Sequence, residues 1–264
     1  MKYKNPYNPD STASALFNRE IILGKPFLYR LYAQWYDWMI NRAKTCGEGI
    51  HLEIGSGGGF LKELFPEAVT SDILDLPFVD VVCNAEQLPF ADNSLASIMM
   101  LNVFHHIPRP YMFLEEAQRC LVAGSKLLMI EPANSCWGRF IYTHFHHEPF
   151  DAKAGWEIDQ GNPMSNANQA LPYIYFERDI KQFNERFPML RLNVMQCHTP
   201  FLYLVSGGLS YKALLPTTMY GIVKFIEKMF SPFDRQLGMF YSIEIEKTTS
   251  ISHLCNKNIL SIVL

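Results

Sequence analysis

The chain has 264 residues, 48% apolar and 19% charged, which excludes a disordered or low-complexity polypeptide and suffices for one large domain or two small ones. A formal charge of -3 gives no basic stripe of the kind on which duplex DNA or long RNA is held, so no nucleic-acid partner is expected. Aromatic residues reach 14%, more than a core of this size needs.

Six cysteines, Cys46, Cys83, Cys120, Cys136, Cys197 and Cys255, are scattered without a CxxC pair or zinc-ligand spacing and read as reduced thiols. The first residues lack the apolar region of a secretory signal, and no run of about 18 uncharged apolar residues occurs. A cytoplasmic, non-spanning protein is expected. The most apolar stretch, Phe201 to Phe230, is interrupted by Lys212, Pro216, Lys224, Glu227 and Lys228 and suits contact with a bilayer surface better than crossing.

Residues 1 to 26 are polar and read as irregular. Phe27, Leu28, Leu31, Tyr32, Trp35 and Met39 then recur at helical spacing. Ile50 to Ile54 predicts a strand, Gly55 to Gly59 a glycine-rich turn, and Phe60 to Phe65 a short helix stopped by Pro66. Ala68 to Ile73, Val79 to Asn84 and Leu95 to Asn102 predict three further strands. Pro110 opens a helix with Phe113, Leu114, Ala117 and Leu121 on one face, a Glu115–Arg119 pair at i,i+4 and Gly124 as its stop. Lys126 to Glu131 predicts another strand. Residues 133 to 175 lose all period and read as a long functional loop. Phe176 to Phe187 predicts a helix and Leu190 to Cys197 a strand. Met219, Ile222, Val223, Ile226 and Phe230 share one helical face, and Met239, Tyr241, Ile243 and Ile245 alternate as a half-buried strand suited to an antiparallel place.

Alternation of buried strands with short helices predicts a mostly parallel α/β sheet whose ligand sits at the carboxyl ends of the strands, beside the reversal of strand order. Within this single domain the expected parts are a helical cap at 1–45, a cofactor-binding core at 46–132, a substrate-covering insertion at 133–175, the rest of the sheet and helices at 176–247, and a tail at 248–264. Oligomeric state is not readable from the pattern.

HLEIGSGGGF carries the most information. A strand ends at Glu53 and Ile54, and Gly55, Gly57 and Gly59 follow at every second position, where the backbone can turn sharply and approach a ligand. The dinucleotide fingerprint G-x-G-x-x-G needs a third glycine where Phe60 stands. Asp72 ends the second strand 17 positions after Gly55, a place from which a carboxylate can accept two ribose hydroxyls. Taken singly, the turn also reads as a flexible loop and Asp72 as a solvated turn residue.

Together, Glu53 to Gly59, Asp72 in TSDIL, NAEQLPFADNSL at Asn84 to Leu95, LNVFHHI at Leu101 to Ile107 and EAQRCLVAGSKLLMIEP at Glu116 to Pro132 resemble the class I S-adenosylmethionine-dependent methyltransferases, particularly the ubiquinone/menaquinone-type small-molecule group. The resemblance spans about residues 48 to 132. It implies a Rossmann-like sheet of seven strands, mostly parallel with an antiparallel last strand, and helices on both faces. It also implies that the backbone of Gly55, Gly57 and Gly59 holds the methionine part of S-adenosylmethionine, with Glu53 near its amino group and Asp72 on the ribose. Asn84 stands where the family commonly has Asp at the adenine, followed by the matching Ala85, and Asn102 where relatives present a backbone carbonyl to the methionine amine.

Methyl transfer is an in-line displacement, so the protein mainly aligns the reactants in a dry pocket, and an oxygen or nitrogen nucleophile also needs a base. His105 and His106, and the cluster His144, His146, His147, Glu148 in THFHHEPFD, are the candidates, with His106, His146 and His147 as the expected catalytic set. The second cluster has the residue types of a metal site, but adjacent His146 and His147 would point apart on a regular element, and no metal is expected. The (D/N)PP(Y/F) motif of amino methyltransferases is absent. Transfer to oxygen of a small or amphiphilic, lipid-like acceptor is the expectation. A non-catalytic S-adenosylmethionine-binding partner subunit and an NAD-dependent oxidoreductase remain alternatives. Tyr29, Tyr32, Trp35, Trp137, Tyr142 and Trp156 are the expected walls of the acceptor site.

Overall fold

The computed structural model describes residues 3, 5–158 and 166–249. In chain order it contains α1 (Thr12–Gly24), α2 (Pro26–Ala43), β1 (Ile50–Ile54), α3 (Leu61–Leu64), β2 (Val69–Asp72), β3 (Val81–Val82), β4 (Leu95–Leu101), α4 (Pro110–Cys120), β5 (Leu121–Pro132), α5 (Cys136–Phe145), α6 (Leu171–Tyr173), α7 (Ile180–Arg186), β6 (Leu190–His198), α8 (Leu202–Ser206), α9 (Tyr220–Phe230), α10 (Asp234–Leu237) and β7 (Phe240–Lys247). The strands form one seven-stranded sheet in the order β3-β2-β1-β4-β5-β7-β6. Strands β1 to β5 are parallel, and β7 lies antiparallel between β5 and β6. This is the expected Rossmann-like architecture.

Side-chain alternation explains why both faces are covered. In β4 and β5, Ile98, Met100, Leu127 and Met129 enter one apolar cluster with Phe113, Leu114 and Ala117 of α4 and Phe183 of α7. Their neighbours Met99, Leu128 and Ile130 enter a second with Phe27, Leu31, Trp35 and Met39 of α2. A sheet buried on both sides needs the near-continuous apolar runs that these strands carry. Strand order reverses between β1 and β4, so the carboxyl ends of these two neighbours open a crevice.

Four local expectations are corrected. The polar N-terminus forms α1: the Ser11 hydroxyl caps it by accepting from Ser14 N–H, and Ala15, Ile21 and Ile22 are buried. Gly124 does not stop α4, because Leu121 already pairs with Leu95 and the chain passes directly from helix to sheet. Arg119 bonds Glu116 and Asp92 rather than Glu115, whose partner is Arg186. The aperiodic stretch contains α5, capped by the Ser135 hydroxyl on Gly138 N–H.

Helix α9 departs furthest from its pattern. Tyr220 and Val223 are buried, while Ile222, Ile226 and Phe230 are exposed. The cause is Glu227, whose carboxylate accepts from Phe201 N–H at 2.8 Å and Leu202 N–H at 2.7 Å at the start of α8 and so turns its side of the helix inward. No helix among the described residues is long and apolar enough to cross a membrane. Of the tail, Thr248 is tied to Met189 O at 2.8 Å, whereas 250–264, with Cys255, lie outside the described residues, as do 159–165 of the expected insertion.

Candidate functional site

A cavity of about 570 Å³ opens at the carboxyl ends of β1 and β4, within the roughly 300–1,000 Å³ usual for ligand clefts. Its lining includes Gly55, Gly57, Gly59, Asp72, Asn84, Ala85 and Asn102 at one end, and His105, His106, His146, His147, Glu148 and Gln169 at the other. The two halves of the expected site therefore share one space.

Backbone geometry makes the glycines obligatory where it matters. Gly55 has φ +69° and a Cβ there would lie 2.5 Å from a Val103 methyl; Gly57 has φ +44° and a Cβ there would meet only Gly55 O, at 3.7 Å. At Gly59 a Cβ would overlap the Tyr36 hydroxyl. Asp72 is nearly buried, with one carboxylate oxygen accepting Gly57 N–H at 2.8 Å and the other Leu74 N–H at 2.9 Å. Burial pushes its carboxyl up, against these backbone donors. With Ile73 N–H as a third backbone donor, the four acceptor positions of the carboxylate still leave room for a hydroxyl. Asn84 closes an Asx turn by accepting Glu86 N–H at 2.9 Å, which leaves its amide nitrogen as a donor. Asn102, at φ +56°, donates its N–H to Ile130 O at 2.8 Å, and its side-chain Oδ1 is buried without a partner among the described residues.

Glu53 stands apart from the cavity lining, beneath the loop. It accepts from the Ser56 hydroxyl at 2.7 Å and from the Tyr36 hydroxyl. Burial pushes its carboxyl up to about 7 although both hydroxyls hold it down. Two residues that carried no signal as site residues complete the support: Tyr36 of α2, and Arg19 of α1, which donates to Gly59 O and pairs with Glu63 at 2.5 Å.

The other end is organised by Glu131, fully buried at the end of β5. One of its oxygens accepts Val103 N–H and Phe104 N–H, both at 2.8 Å, and the other meets His105 Nδ1 at 2.6 Å. His105 Nε2 lies 3.5 Å from Glu148. Burial alone would lower its pKa, but the two carboxylates outweigh it and raise it to about 9, so His105 is an imidazolium at neutral pH. Burial, helped by that neighbouring charge, lowers His106 to about 4. Its Nδ1 faces the carbonyl oxygen of Asn166 at 3.3 Å, an acceptor only, so Nδ1 bears the proton and Nε2 the lone pair. That lone pair points at a Glu148 oxygen 3.6 Å away. Glu148, held low by His105 despite its burial, is a carboxylate. His105, His106 and Glu148 are the group among the described residues that could hold a cation.

His146 and His147 do not point apart: both follow the end of α5, off any regular element, and their rings stack at 4.7 Å. His146 Nδ1 accepts from Gln169 at 2.7 Å, and His147 is largely exposed. His144 bonds Phe140 O on the solvent side. Of the expected walls, Tyr32 and Tyr142 line the cavity. Tyr29 stacks on Phe60, Trp35 packs on Phe240, Trp137 bonds Pro200 O and Trp156 packs on Tyr175.

The residues fit an adenosyl cofactor: a glycine turn in which a Cβ at Gly57 would meet only Gly55 O, a carboxylate 15 positions after Gly57, and an orphaned buried amide oxygen at Asn102. Residues 52–129 match the protein-family model described as Methyltransferase domain. No curated protein matches the chain. Among solved structures, a chain of the Haloferax volcanii complex of the Trm112 methyltransferase activator with a methyltransferase is 11% identical, with a TM-score of 0.50 over 90% of this chain and 96% of that one. Geranyl diphosphate C-methyltransferase from Streptomyces coelicolor is 11% identical, with a TM-score of 0.49 over 92% and 86%. At these identities the likeness concerns the fold. The domain match runs through the glycine loop, Asp72 and the end of β4, and sets the dinucleotide alternative aside. Residues 52–129 therefore carry a methyltransferase domain, and the chain is an S-adenosylmethionine-dependent methyltransferase enzyme.

Proposed function

We propose that this enzyme methylates an oxygen atom of a small or amphiphilic, ring-bearing acceptor, of the kind served by the ubiquinone/menaquinone-type group. In this reading the backbone of Gly55, Gly57 and Gly59 and the Asn102 carbonyl hold the methionine part of S-adenosylmethionine, Asp72 takes the ribose hydroxyls, and Asn84 and Ala85 meet the adenine. Glu53 acts from below, by fixing the loop through Ser56. The bound cofactor supplies an electrophilic methyl on a sulfonium.

The observation that carries the acceptor side is the facing pair of His106 Nε2 and a Glu148 oxygen at 3.6 Å. Two lone pairs at that distance repel unless a donor lies between them, and an acceptor hydroxyl is such a donor. A neutral His106 then removes its proton as methyl transfer proceeds, while the imidazolium of His105 keeps Glu148 ionised and in place. His146, whose Nδ1 is already an acceptor for Gln169, presents Nε2–H and serves to orient an acceptor oxygen; His147 sits at the rim. The cavity lining contains Tyr32, Tyr142, Tyr203 and Phe240 and no Lys or Arg among the described residues, which favours an uncharged, apolar acceptor over a polyanion.

The test is transfer of labelled methyl groups into a cell extract by the purified chain, followed by mass spectrometry of the product. His106→Gln should lower turnover by about 10²- to 10⁴-fold while calorimetry shows the demethylated cofactor bound as before. Undiminished turnover in that variant overturns the base assignment, and a label found on carbon or nitrogen overturns the oxygen assignment.

A further inference from the structure

Helix α9 is amphipathic the wrong way round for a protein in water. At 3.6 residues per turn, Tyr220, Val223 and Glu227 share the inward side, and Ile222, Phe225 and Met229 share the opposite one. Those three are 54%, 64% and 65% exposed, whereas a solvated face would carry polar residues. The apolar surface does not stop at α9. The Phe230 ring meets Phe201 at 5.8 Å, the Trp137 indole bonds Pro200 O at 3.1 Å, and Trp137 stacks on Phe140 at 5.8 Å. Phe140 in turn touches Phe145 at 5.9 Å, and Phe145, 69% exposed, directly precedes the His146 to Glu148 wall of the cavity. The surface thus runs from α9 to the edge of the site.

Its fully exposed charges are basic, although Arg235 pairs with Glu177 at 3.7 Å and Asp234 is half-buried beside it. Lys212, Lys224, Lys228 and Arg235 are exposed between positions 211 and 236, while the two acids of that stretch, Glu227 and Asp234, are only partly exposed and Glu227 is spent on the α8 backbone. This is a cationic, aromatic patch on a chain of net charge -3. Exposed Phe, Ile and Met flanked by lysine is the composition of a helix that lies in the plane of a lipid interface, its apolar side among the acyl chains and its lysines at anionic headgroups.

We propose that the outward face of α9, continued by Phe230, Phe140 and Phe145, docks the enzyme on an anionic lipid surface. Docking there sets the cavity rim beside the bilayer, where an amphiphilic acceptor is concentrated. The docking stands without the acceptor reading and deepens it by giving the acceptor a route of delivery.

The experiment is flotation of the full chain, without acceptor, on vesicles of mixed phosphatidylglycerol and phosphatidylcholine and on vesicles of phosphatidylcholine alone. The chain should float with the anionic vesicles and be released by salt. Phe225→Ser combined with Met229→Ser should lower the bound fraction by about tenfold or more, and each of Lys224→Gln and Lys228→Gln should weaken binding by roughly fivefold. Calorimetry with the demethylated cofactor should be unchanged in all of them, which separates lost docking from a lost fold or a failed cofactor assignment. Absence of flotation overturns the proposal, as does equal binding to both vesicle types. A dimer in gel filtration that the Phe225→Ser, Met229→Ser variant dissolves, with no vesicle binding, gives the face to a second copy and overturns it too.

Discussion

Replacing Glu131 by Gln isolates the charge that organises the acceptor end. The amide keeps the size of the side chain and, through its oxygen, the bonds from Val103 and Phe104 N–H. Its NH₂ group then faces the Nδ1–H of His105, donor against donor, and the imidazolium loses the partner 2.6 Å away. A pKa raised from 6.5 to about 9 is worth about 3 kcal/mol. Glu148 keeps part of that, so the charge-dependent loss is about 2 kcal/mol. Because the folded pKa of His105 lies above its unfolded value, the stabilisation is complete below about pH 6.5 and fades as pH rises through about 9. Urea unfolding of wild type and Glu131→Gln at about pH 6 and about pH 10 measures this directly, since other titrations cancel in the difference. The stability gap should shrink by about 2 kcal/mol between the two pH values. A gap that is the same at both refutes the imidazolium between two carboxylates, and with it the fixed position of Glu148.

Asp72→Ala should weaken binding of the demethylated cofactor by about tenfold or more, about 1.4 kcal/mol, in calorimetry; unchanged affinity removes the ribose role. Gly59→Ala drives a methyl into the Tyr36 hydroxyl and to 2.8 Å from Ser56 O, and should destabilise the protein by about 1–3 kcal/mol in urea unfolding. Adding Tyr36→Phe should recover part of that loss, and strict additivity of the two changes would show that the contact is not the cause.

What the sequence made legible was what repeats locally. The parallel strands read as apolar runs because both of their faces are buried, and the glycine loop read as a ligand turn because positive φ leaves few residue types. Asp72 and the histidine pair after β4 were placed by their position at strand ends. Contacts between distant residues left no such trace. Glu131 and His105 are 26 positions apart, and nothing in their local patterns marks a pair. Tyr36 falls outside the apolar period read on α2, yet it is buried and its hydroxyl reaches Glu53 and Gly59. Helix α1 went unseen because its few buried residues, Ala15, Ile21 and Ile22, give little periodic contrast and it is held by Arg19 on Gly59 O and Glu63. The face of α9 misled for a physical reason: apolar period reports which residues align, whereas Glu227, bonding the start of α8, decides which side turns in.

The place of β7 has a consequence for synthesis on the ribosome. Strands β1, β4 and β5 can pair as they emerge, but among the described residues β6 pairs only with β7, and β7 is the last of the described strands to be made. The stretch from Leu190 to Phe240 takes about 3–10 s at ordinary elongation rates. During that interval the nascent chain carries a β5 edge with Leu127, Leu128, Met129 and Ile130, all fully buried once β7 is in place. An apolar open edge is the template on which neighbouring chains add. Strand β7 thus acts as a wedge that closes two edges at once, and a message cut short before Phe240 should yield a sticky product with its sheet unsealed.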